Sequence, residues 1–317
     1  MRPSPPRRKT GLRIRERGLR DQARTSLPSR SPIPDPQAFL ACGRFRLRLD
    51  RPLVAGVVNV TPDSFSDGGH YLEPAAAIAH ARELMDEGAD VIDIGAESSR
   101  PGAGSVSAEE ELSRLMPVLE GLRACPVPIS VDTTKPEVMR AVIGAGAAMI
   151  NDIRALRSPG SLETVAASDA AVCLMHMQGE PRTMQREPRY DDVVAEVRAF
   201  LAERVTAAEA RGIARERIVI DPGFGFGKTV AHNFELLRNL HRFAEMGLPV
   251  MAGWSRKSSL AAVTGRGPGE RLAGSIAAAL LAVQHGATIV RVHDVAATRD
   301  ALAVLAAMDG HGGRGKR

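Results

Sequence analysis

Polar and charged residues follow eight short apolar stretches of this 317-residue sequence. They are Asn59-Val-Thr-Pro-Asp63, Glu97-Ser-Ser-Arg100, Asp132-Thr-Thr, Asn151-Asp152, His176, Asp221, Ser255-Arg256-Lys257 and Arg291-Val-His293. One polar residue at the end of a strand usually caps the next helix or closes a turn. A polar residue after nearly every stretch, with the cations Arg100, Lys257 and Arg291 among them, indicates that the side chains meet at one site.

These residue types suit two kinds of binding. Arg100, Arg291 and His293 can hold an anion, such as a phosphate-bearing leaving group. The amide of Asn59 offers a neutral oxygen to a hard cation such as Mg2+. A second group combines acceptors, an amide and a donor, which suits a flat heterocycle with a mixed hydrogen-bonding edge. Its members are Asp132, Asn151, Asp221 and Lys257.

The glycine-rich segment Asp-Pro-Gly-Phe-Gly-Phe-Gly-Lys (221–228) looks at first like a phosphate-binding loop. A P-loop requires glycine where Pro222 stands, and a dinucleotide fingerprint requires glycine where Lys228 stands. The segment therefore belongs to neither class, and its role depends on its neighbours.

Elements that could position these residues are predicted by an alternation of β-branched runs with alanine- and leucine-rich segments at helical spacing. The predicted strands are 53–60, 90–95, 128–132, 148–152, 171–176, 217–221, 249–253 and 288–294. Predicted helices between them include 74–88, 108–122, 190–212 and 270–286. Eight such units predict an α/β fold, a single-domain (β/α)8 TIM barrel, with reactive groups where strands end. Residues 38–50 alternate like a strand pair and are expected to close the amino-terminal end.

The net charge of +5 is unevenly distributed along the chain. Residues 1–36 hold ten Lys/Arg against three Asp/Glu and are rich in proline and serine, which predicts a disordered basic extension. It contains no aromatic residue or nucleic-acid motif, so we expect a solvated segment rather than a nucleic-acid partner. The barrel domain is expected over 37–309, followed by a flexible tail at 310–317.

Composition also excludes several classes of protein. No apolar run approaches the roughly 18 residues of a membrane span, and no secretory h-region is evident, so the sequence predicts a soluble, cytoplasmic protein without a membrane partner. Three cysteines without C-x-x-C spacing predict neither a disulfide framework nor a thiolate metal site.

Eight ordered motifs lie at consistent spacing along the chain. They are NVTPDSFSDGG (59–69), ESSRPGA (97–103), SVDTTKPEV (130–138), INDI (150–153), LMHMQG (174–179), DPGFGFGK (221–228), SRKS (255–258) and RVHDV (291–295). Over about residues 53–307 they strongly resemble the bacterial dihydropteroate synthases. The resemblance implies condensation of 6-hydroxymethyl-7,8-dihydropterin diphosphate with 4-aminobenzoate, giving 7,8-dihydropteroate and pyrophosphate in folate biosynthesis. It also implies Mg2+ as cofactor, a homodimer and sulfonamide sensitivity.

The same resemblance implies a role for each motif residue. The pterin would be bound by Asp132, Asn151, Asp221, Lys257 and Arg291. The diphosphate would be bound by Asn59, Thr61, Arg100, Arg291 and His293, with Asn59 also binding the metal. The aminobenzoate would be bordered by Phe65, Ser99, Pro101, Phe226 and Ser255. The catalytic set would be Arg100, Asp132, Lys257, Arg291 and His293.

Two sequence features depart from the common family pattern, and two other functions remain open. Ser99 stands where threonine is frequent, and Trp254 stands where a smaller or unbranched apolar residue is frequent.

A methyltetrahydrofolate methyltransferase would share the pterin set but need no diphosphate site. The segments Ser255-Arg256-Lys257 and Arg291-Val-His293 argue against that function. A catalytically silent paralogue, or a binding protein acting through its basic tail, would not need the intact polar set.

Overall fold

The eight predicted barrel strands form in the computed structural model of the protein, together with the expected strand pair that precedes them. The structure describes residues 38–61, 73–97, 104, 106–308 and 310, which fall in one structural unit. Its strands are β1 (Phe39–Cys42), β2 (Phe45–Arg48), β3 (Leu53–Asn59), β4 (Val91–Gly95), β5 (Ile129–Asp132), β6 (Met149–Asp152), β7 (Ala171–Met175), β8 (Ile218–Asp221), β9 (Met251–Ala252) and β10 (Ile289–Val292). Its α-helices are α1 (Glu73–Asp86), α2 (Ala108–Gly121), α3 (Pro136–Gly144), α4 (Ser161–Ala166), α5 (Val193–Ala210), α6 (Val230–Arg238), α7 (His241–Ala244), α8 (Ser258–Thr264), α9 (Leu272–Gln284) and α10 (Val295–Met308).

Strands β3 to β10 form a parallel sheet in the order β8-β7-β6-β5-β4-β3-β10-β9. A parallel bridge between Ile220 and Val250 brings the two ends of this sheet together. The Ile220 amide donates to the Pro249 carbonyl across the same junction, at 3.0 Å. The predicted (β/α)8 barrel is confirmed.

Burial explains why these strands read as continuous apolar runs in the sequence. Every residue of β4 and of β7 is buried, as expected for parallel strands covered on one face by helices and packed against the barrel interior on the other. Helix α5 begins three residues later than predicted, at Val193. Asp192 accepts hydrogen bonds from the amides of Val194 and Ala195 at 3.0 and 2.9 Å and so sets the start of the helix.

The β1–β2 hairpin closes the amino-terminal end of the barrel, as predicted. Its strands pair antiparallel, and Leu40 and Cys42 pack among side chains at the beginnings of the barrel strands, including Leu53, Val91 and Ile289. Because this end is filled by apolar side chains, the opposite end is the one available to a ligand.

Some sequence predictions concern residues outside the described part of the chain. These are the basic extension 1–36, most of the tail 310–317, and the site residues Phe65, Ser99, Arg100 and Pro101. The proposed domain boundaries therefore stay predictions. In the described residues no helix is both long and apolar enough to cross a membrane.

Candidate active site at the open end of the barrel

Neighbouring strands carry the predicted pterin-type side chains to one rim of the barrel. Asp132 ends β5 and is paired in register with Asn151 of β6. Asp221 ends β8, Arg291 lies in β10, and Asn59 ends β3. Parallel strands have their carboxyl ends on the same side. The structure therefore gathers residues that are up to 232 positions apart in the chain, from Asn59 to Arg291.

A charged network links Arg291 to two carboxylates inside this end of the barrel. Arg291 Nε donates to Asp93 Oδ2 at 2.6 Å, and its Nη2 lies 3.4 Å from Asp132 Oδ2. Asn151 Nδ2 donates to the same Asp93 oxygen at 3.3 Å. The network orients the guanidinium, one carboxylate and one amide relative to one another before any ligand binds.

Asp93 is a functional candidate that the sequence reasoning missed. It lies in the middle of β4 rather than at a strand end, and it is 2% exposed. The available signal was a carboxylate inside the apolar run Val-Ile-Asp-Ile-Gly (91–95), because a buried charge requires a partner. Only the fold shows that this partner is Arg291.

Burial shifts the pKa values of several of these groups. It raises the pKa of Asp132 to about 7; Arg291 opposes the rise and Asp93 adds to it. Burial also opposes the charge of Arg291, but Asp93 and Asp132 outweigh it and raise the pKa of the guanidinium. Asp132 is thus held close to its protonation midpoint near neutral pH, whereas Arg291 stays charged.

Lys257 and Asp221 form a second charged group at the same rim, close enough for Arg291 to influence both. Burial lowers the pKa of Lys257 to about 8, although Asp221 favours its charged form. Burial raises the pKa of Asp221, against the opposing charge of Lys257. The Lys257 ammonium donates to the Phe224 carbonyl and lies 4.5 Å from the centre of the Phe226 ring. Lys257, predicted to bind the pterin, is therefore adjacent to Phe226, predicted to border the aminobenzoate.

Ser255 and His293 are also in direct contact. Ser255 Oγ accepts from the His293 amide at 3.2 Å and lies 2.9 Å from its Nδ1. They were predicted for different subsites, the aminobenzoate and the diphosphate. Their contact would place the two predicted subsites side by side.

Two other predicted strand-end acids have roles in local structure. Asp152 accepts from the amides of Arg154 and Leu156, both at 2.8 Å, and so closes the turn after β6. Glu97 accepts from Lys135 Nζ at 2.5 Å, and the same ammonium donates to the fully buried Glu111 at 2.5 Å. This ion-pair network anchors Glu97, the first residue of the motif 97–103.

Two buried acceptors near the Arg291 network have no hydrogen-bond partner within the described residues. They are Asp93 Oδ1 and Asn151 Oδ1. An unpaired buried acceptor is costly, so such atoms are commonly satisfied by water or a ligand. Donor groups on a bound heterocycle or an ordered water would suit them.

Asn59 and Thr61 stand at the end of β3, where the predicted diphosphate and metal subsite begins. The described residues contain no cluster of three or more His, Cys, Asp or Glu side chains that could hold a metal. Mg2+ is often bound by one or two protein oxygens together with substrate phosphates. The single amide oxygen of Asn59 fits that mode, and would contribute one ligand beside those of a diphosphate.

A closed parallel barrel with acids, an amide and cations at its open end defines an enzyme of the TIM-barrel class that binds a polar heterocycle. The chain belongs to the family of pterin-binding enzymes, since residues 55–293 match the family described as "Pterin binding enzyme". The family resemblance read from the sequence motifs is confirmed.

Among proteins of this family, the chain is similar to several dihydropteroate synthases. It is 51% identical over 262 residues to that of Escherichia coli (strain K12), covering 82% of this chain and 93% of the relative. It is 50% identical over 273 residues to that of Neisseria meningitidis serogroup B, covering 84% and 96%.

Solved structures of such enzymes also superpose on this fold. The Xanthomonas albilineans dihydropteroate synthase with 4-aminobenzoic acid is 56% identical with a TM-score of 0.82, covering 86% of this chain and 99% of that one. The same enzyme in complex with 7,8-dihydropteroate has a TM-score of 0.77 at 51% identity, with the same coverage. A Yersinia pestis synthase in a sulfonamide drug complex has a TM-score of 0.82 at 45% identity, also covering 86% and 99%.

Proposed function

We propose that this protein is a dihydropteroate synthase, a transferase of folate biosynthesis. It joins the pterinylmethyl group of 6-hydroxymethyl-7,8-dihydropterin diphosphate to the nitrogen of 4-aminobenzoate and releases pyrophosphate. The observation that carries the proposal is the convergence of the Arg291 network with Asp221 and Lys257 at one barrel end, in a chain half identical to such enzymes.

The pterin is proposed to bind against Asp132, Asn151, Asp221, Lys257 and Arg291. Asp221 accepts hydrogen bonds from the amino and ring N–H groups of the pterin edge, while Asn151 and Lys257 complete the set of acceptors and donors. Arg291 lies against the face of the ring. Burial of Asp221, 5% exposed, supports this role because a carboxylate in such a place needs donors to stay ionised.

The diphosphate is proposed to bind at the adjacent part of the rim, against Asn59, Thr61, Arg100, Arg291 and His293. Arg291 is half-buried and stays charged beside Asp93 and Asp132, which supports a role in stabilising an anion. Asn59 is the proposed protein ligand of Mg2+. When bound, Mg2+ would neutralise part of the diphosphate charge.

The aminobenzoate is proposed to bind beside Phe226 and Ser255, with Phe65, Ser99 and Pro101 from the two loops outside the described residues. The contact between Ser255 and His293 supports this arrangement, because it brings the acceptor substrate next to the leaving group. Proximity of this kind lowers the entropic part of the barrier.

The chemistry then proceeds without a covalent bond to the protein. The carbon–oxygen bond between the pterin methylene and the diphosphate breaks, and both electrons leave with pyrophosphate. The aniline nitrogen donates its lone pair to the delocalised methylene cation and afterwards loses a proton. Arg291 stabilises the charge that grows on the departing diphosphate. Ionised Asp132 stabilises the positive charge that develops in the pterin ring.

A pyrophosphate-release assay tests this function, using purified protein with Mg2+, the pterin diphosphate and 4-aminobenzoate. We expect stoichiometric pyrophosphate and dihydropteroate, the latter identified by chromatography. Lys257→Ala should sharply weaken pterin binding in calorimetry, whereas Arg48→Ala should not, because Arg48 is 80% exposed on the hairpin at the opposite barrel end. Folded protein that forms neither product would exclude the synthase reaction.

The proposal extends to a cytoplasmic homodimer that is inhibited by sulfonamides. Val304 and Met308 of α10 are 72% and 67% exposed, and apolar side chains of this kind on a helix support a contact between two copies. Light scattering measures the oligomeric state. Sulfonamide inhibition should be competitive with 4-aminobenzoate, and a non-competitive pattern would contradict a shared site.

A further inference from the structure

Lys228, the last residue of the glycine-rich segment, is buried between this segment and the chain that leaves β7. It is 3% exposed. Its ammonium lies 3.0 Å from His176 Nδ1, 3.3 Å from the His176 carbonyl and 3.0 Å from the Phe226 carbonyl. A protonated lysine head group has three donors, and each has an acceptor here. Burial lowers the pKa of Lys228 well below its ordinary value, whereas Asp221 favours its charged form. Such a fully bonded buried lysine holds two pieces of backbone together.

The two pieces of backbone are packed as closely as glycine allows. A Cβ on Gly223 would lie 1.9 Å from the His176 carbonyl oxygen, and one on Gly227 would lie 2.3 Å from that of Gln178. Both glycines have positive φ, +71° and +62°. The turn of residues 223–227 therefore rests directly on the chain that leaves β7. Lys228 satisfies carbonyl groups that this close packing removes from water.

This turn carries groups that face the candidate site. The Phe224 carbonyl accepts from Lys257, and the Phe226 ring lies under the Lys257 ammonium. A Cβ on Gly225 would meet the Lys257 side chain at 3.0 Å. Displacement of the turn would move the Phe226 ring directly, whereas the backbone of Lys257 is fixed at the start of α8.

His176 suits the role of a fixed acceptor for Lys228. Its ring is buried and packs edge-on against Phe200, with the ring centres 4.9 Å apart. Burial lowers the pKa of His176 to about 2, with Lys228 acting in the same direction, so the ring is neutral and Nδ1 can accept when Nε2 carries the proton. Its backbone amide also donates to the Asp221 carbonyl at 3.0 Å.

We propose that Lys228, held by His176, is a positioning residue for the turn 223–227 and thereby orients Phe226 toward bound 4-aminobenzoate. The inference rests on the proposed function for the identity of that substrate. Asp221, Asn151 and Arg291 stand on strands, and Lys257 stands at the start of α8, so the backbone of the pterin set lies outside this turn. The turn contacts the set through the Gly223 amide, which donates to Asp221 Oδ1 at 2.7 Å, and through the contacts to Lys257. The pterin set therefore depends less on the turn than Phe226, which is part of it. Loss of the Lys228 contacts should thus affect the aminobenzoate more than the pterin diphosphate.

Four variants test this role. Lys228→Met keeps an unbranched side chain, shorter by one atom, but removes its donors. His176→Asn keeps an acceptor near the position of Nδ1, whereas His176→Leu of similar size removes it. Arg48→Met is the control for an exposed cation at the opposite barrel end. Circular dichroism checks that each variant is folded.

Trp254 gives a readout that does not depend on activity. It is the single tryptophan of the chain, is buried, and packs against Phe224 with the ring centres 4.8 Å apart. We expect Lys228→Met and His176→Leu to shift its emission to longer wavelength and to increase its quenching by acrylamide. His176→Asn and Arg48→Met should match the parent protein.

Steady-state kinetics supplies the second readout. In Lys228→Met and His176→Leu we expect the KM for 4-aminobenzoate to rise about tenfold and that for the pterin diphosphate less than about threefold, consistent with the loss of one or two aligned contacts. In His176→Asn most of the rise in KM should be absent, because the acceptor for Lys228 is kept. A general loss of stability would affect the KM values for both substrates alike.

The outcomes separate this inference from the proposed function. Parent protein without turnover refutes the function, and the Trp254 comparison then still decides whether Lys228 positions the turn. If Lys228→Met does not fold, the two His176 variants decide. Equal KM changes for both substrates, or identical behaviour of His176→Asn and His176→Leu, would overturn the inference.

Discussion

Asp132 should reduce the stability of the folded protein at neutral pH, and replacing it with asparagine should reveal by how much. Its side chain is 17% exposed and lies against Arg291. Burial raises its pKa from the ordinary value of 3.8 to about 7, against the opposing charge of Arg291. Asparagine has the same shape and keeps an acceptor for Arg291, but it carries no charge to bury. The substitution therefore isolates the effect of the charge.

The sign of the effect follows from proton binding. Between the two pKa values the folded state binds more protons than the unfolded state, so stability falls as pH rises. The contribution of Asp132 to the unfolding free energy is fully present below the unfolded pKa of 3.8. It is lost as pH rises through the folded pKa of about 7, where the buried carboxyl becomes charged. A shift of about 3 units corresponds to about 4 kcal/mol, of which about 2 to 3 kcal/mol falls between about pH 5 and pH 8.

Urea unfolding followed by circular dichroism measures this difference. The difference in unfolding free energy between Asp132→Asn and the parent protein should change by about 2 to 3 kcal/mol in favour of the variant as pH rises from about 5 to about 8. The same variant should lose most synthase turnover, because a neutral amide does not stabilise the pterin cation. An offset between the two proteins that is constant with pH, or one that shrinks as pH rises, refutes the reasoning.

Three further predictions concern the support of the site. Gly223→Ala should lower the unfolding free energy by more than Gly265→Ala, since both have φ near +70° but only the first Cβ meets a backbone oxygen, at 1.9 Å; equal losses in urea unfolding would contradict the steric cause. Lys135→Met should cost about 3 kcal/mol or more, because it leaves a fully buried carboxylate unpaired, whereas Arg48→Met should cost less than about 1 kcal/mol; denaturation midpoints that do not differ would argue against a structural ion pair. Removal of residues 1–36 should leave steady-state rates unchanged if that segment is a solvated extension, and a large rate loss would assign it a role.

The fold was predictable to a large extent because it depends on a repeated local pattern. Buried parallel strands must be apolar along their whole length, and the helices between them show a different period, so the eight units are visible without a structure. Boundaries were less predictable. The strand expected at 249–253 is reduced to Met251–Ala252 because only two residues pair with β10.

The candidate site was predictable only in part. Strand ends identified Asp132, Asn151 and Asp221, since in a barrel they converge by geometry alone. Asp93 was missed because its partner lies 198 residues further along the chain. The role of Lys228 was likewise hidden, because its acceptors belong to another strand end and to a carbonyl group that sequence does not locate.

The sequence by itself determined the period of the elements, the chemical types of residue at the strand ends and the family to which the chain belongs. These properties are local, or depend on the order of motifs along the chain. The tertiary structure decided which carboxylate faces Arg291, which ammonium lies beneath the glycine-rich turn, and how far burial raises the pKa of Asp132. Charge interactions and desolvation depend on distance in space and on exclusion of water, and both are set only when distant segments pack together.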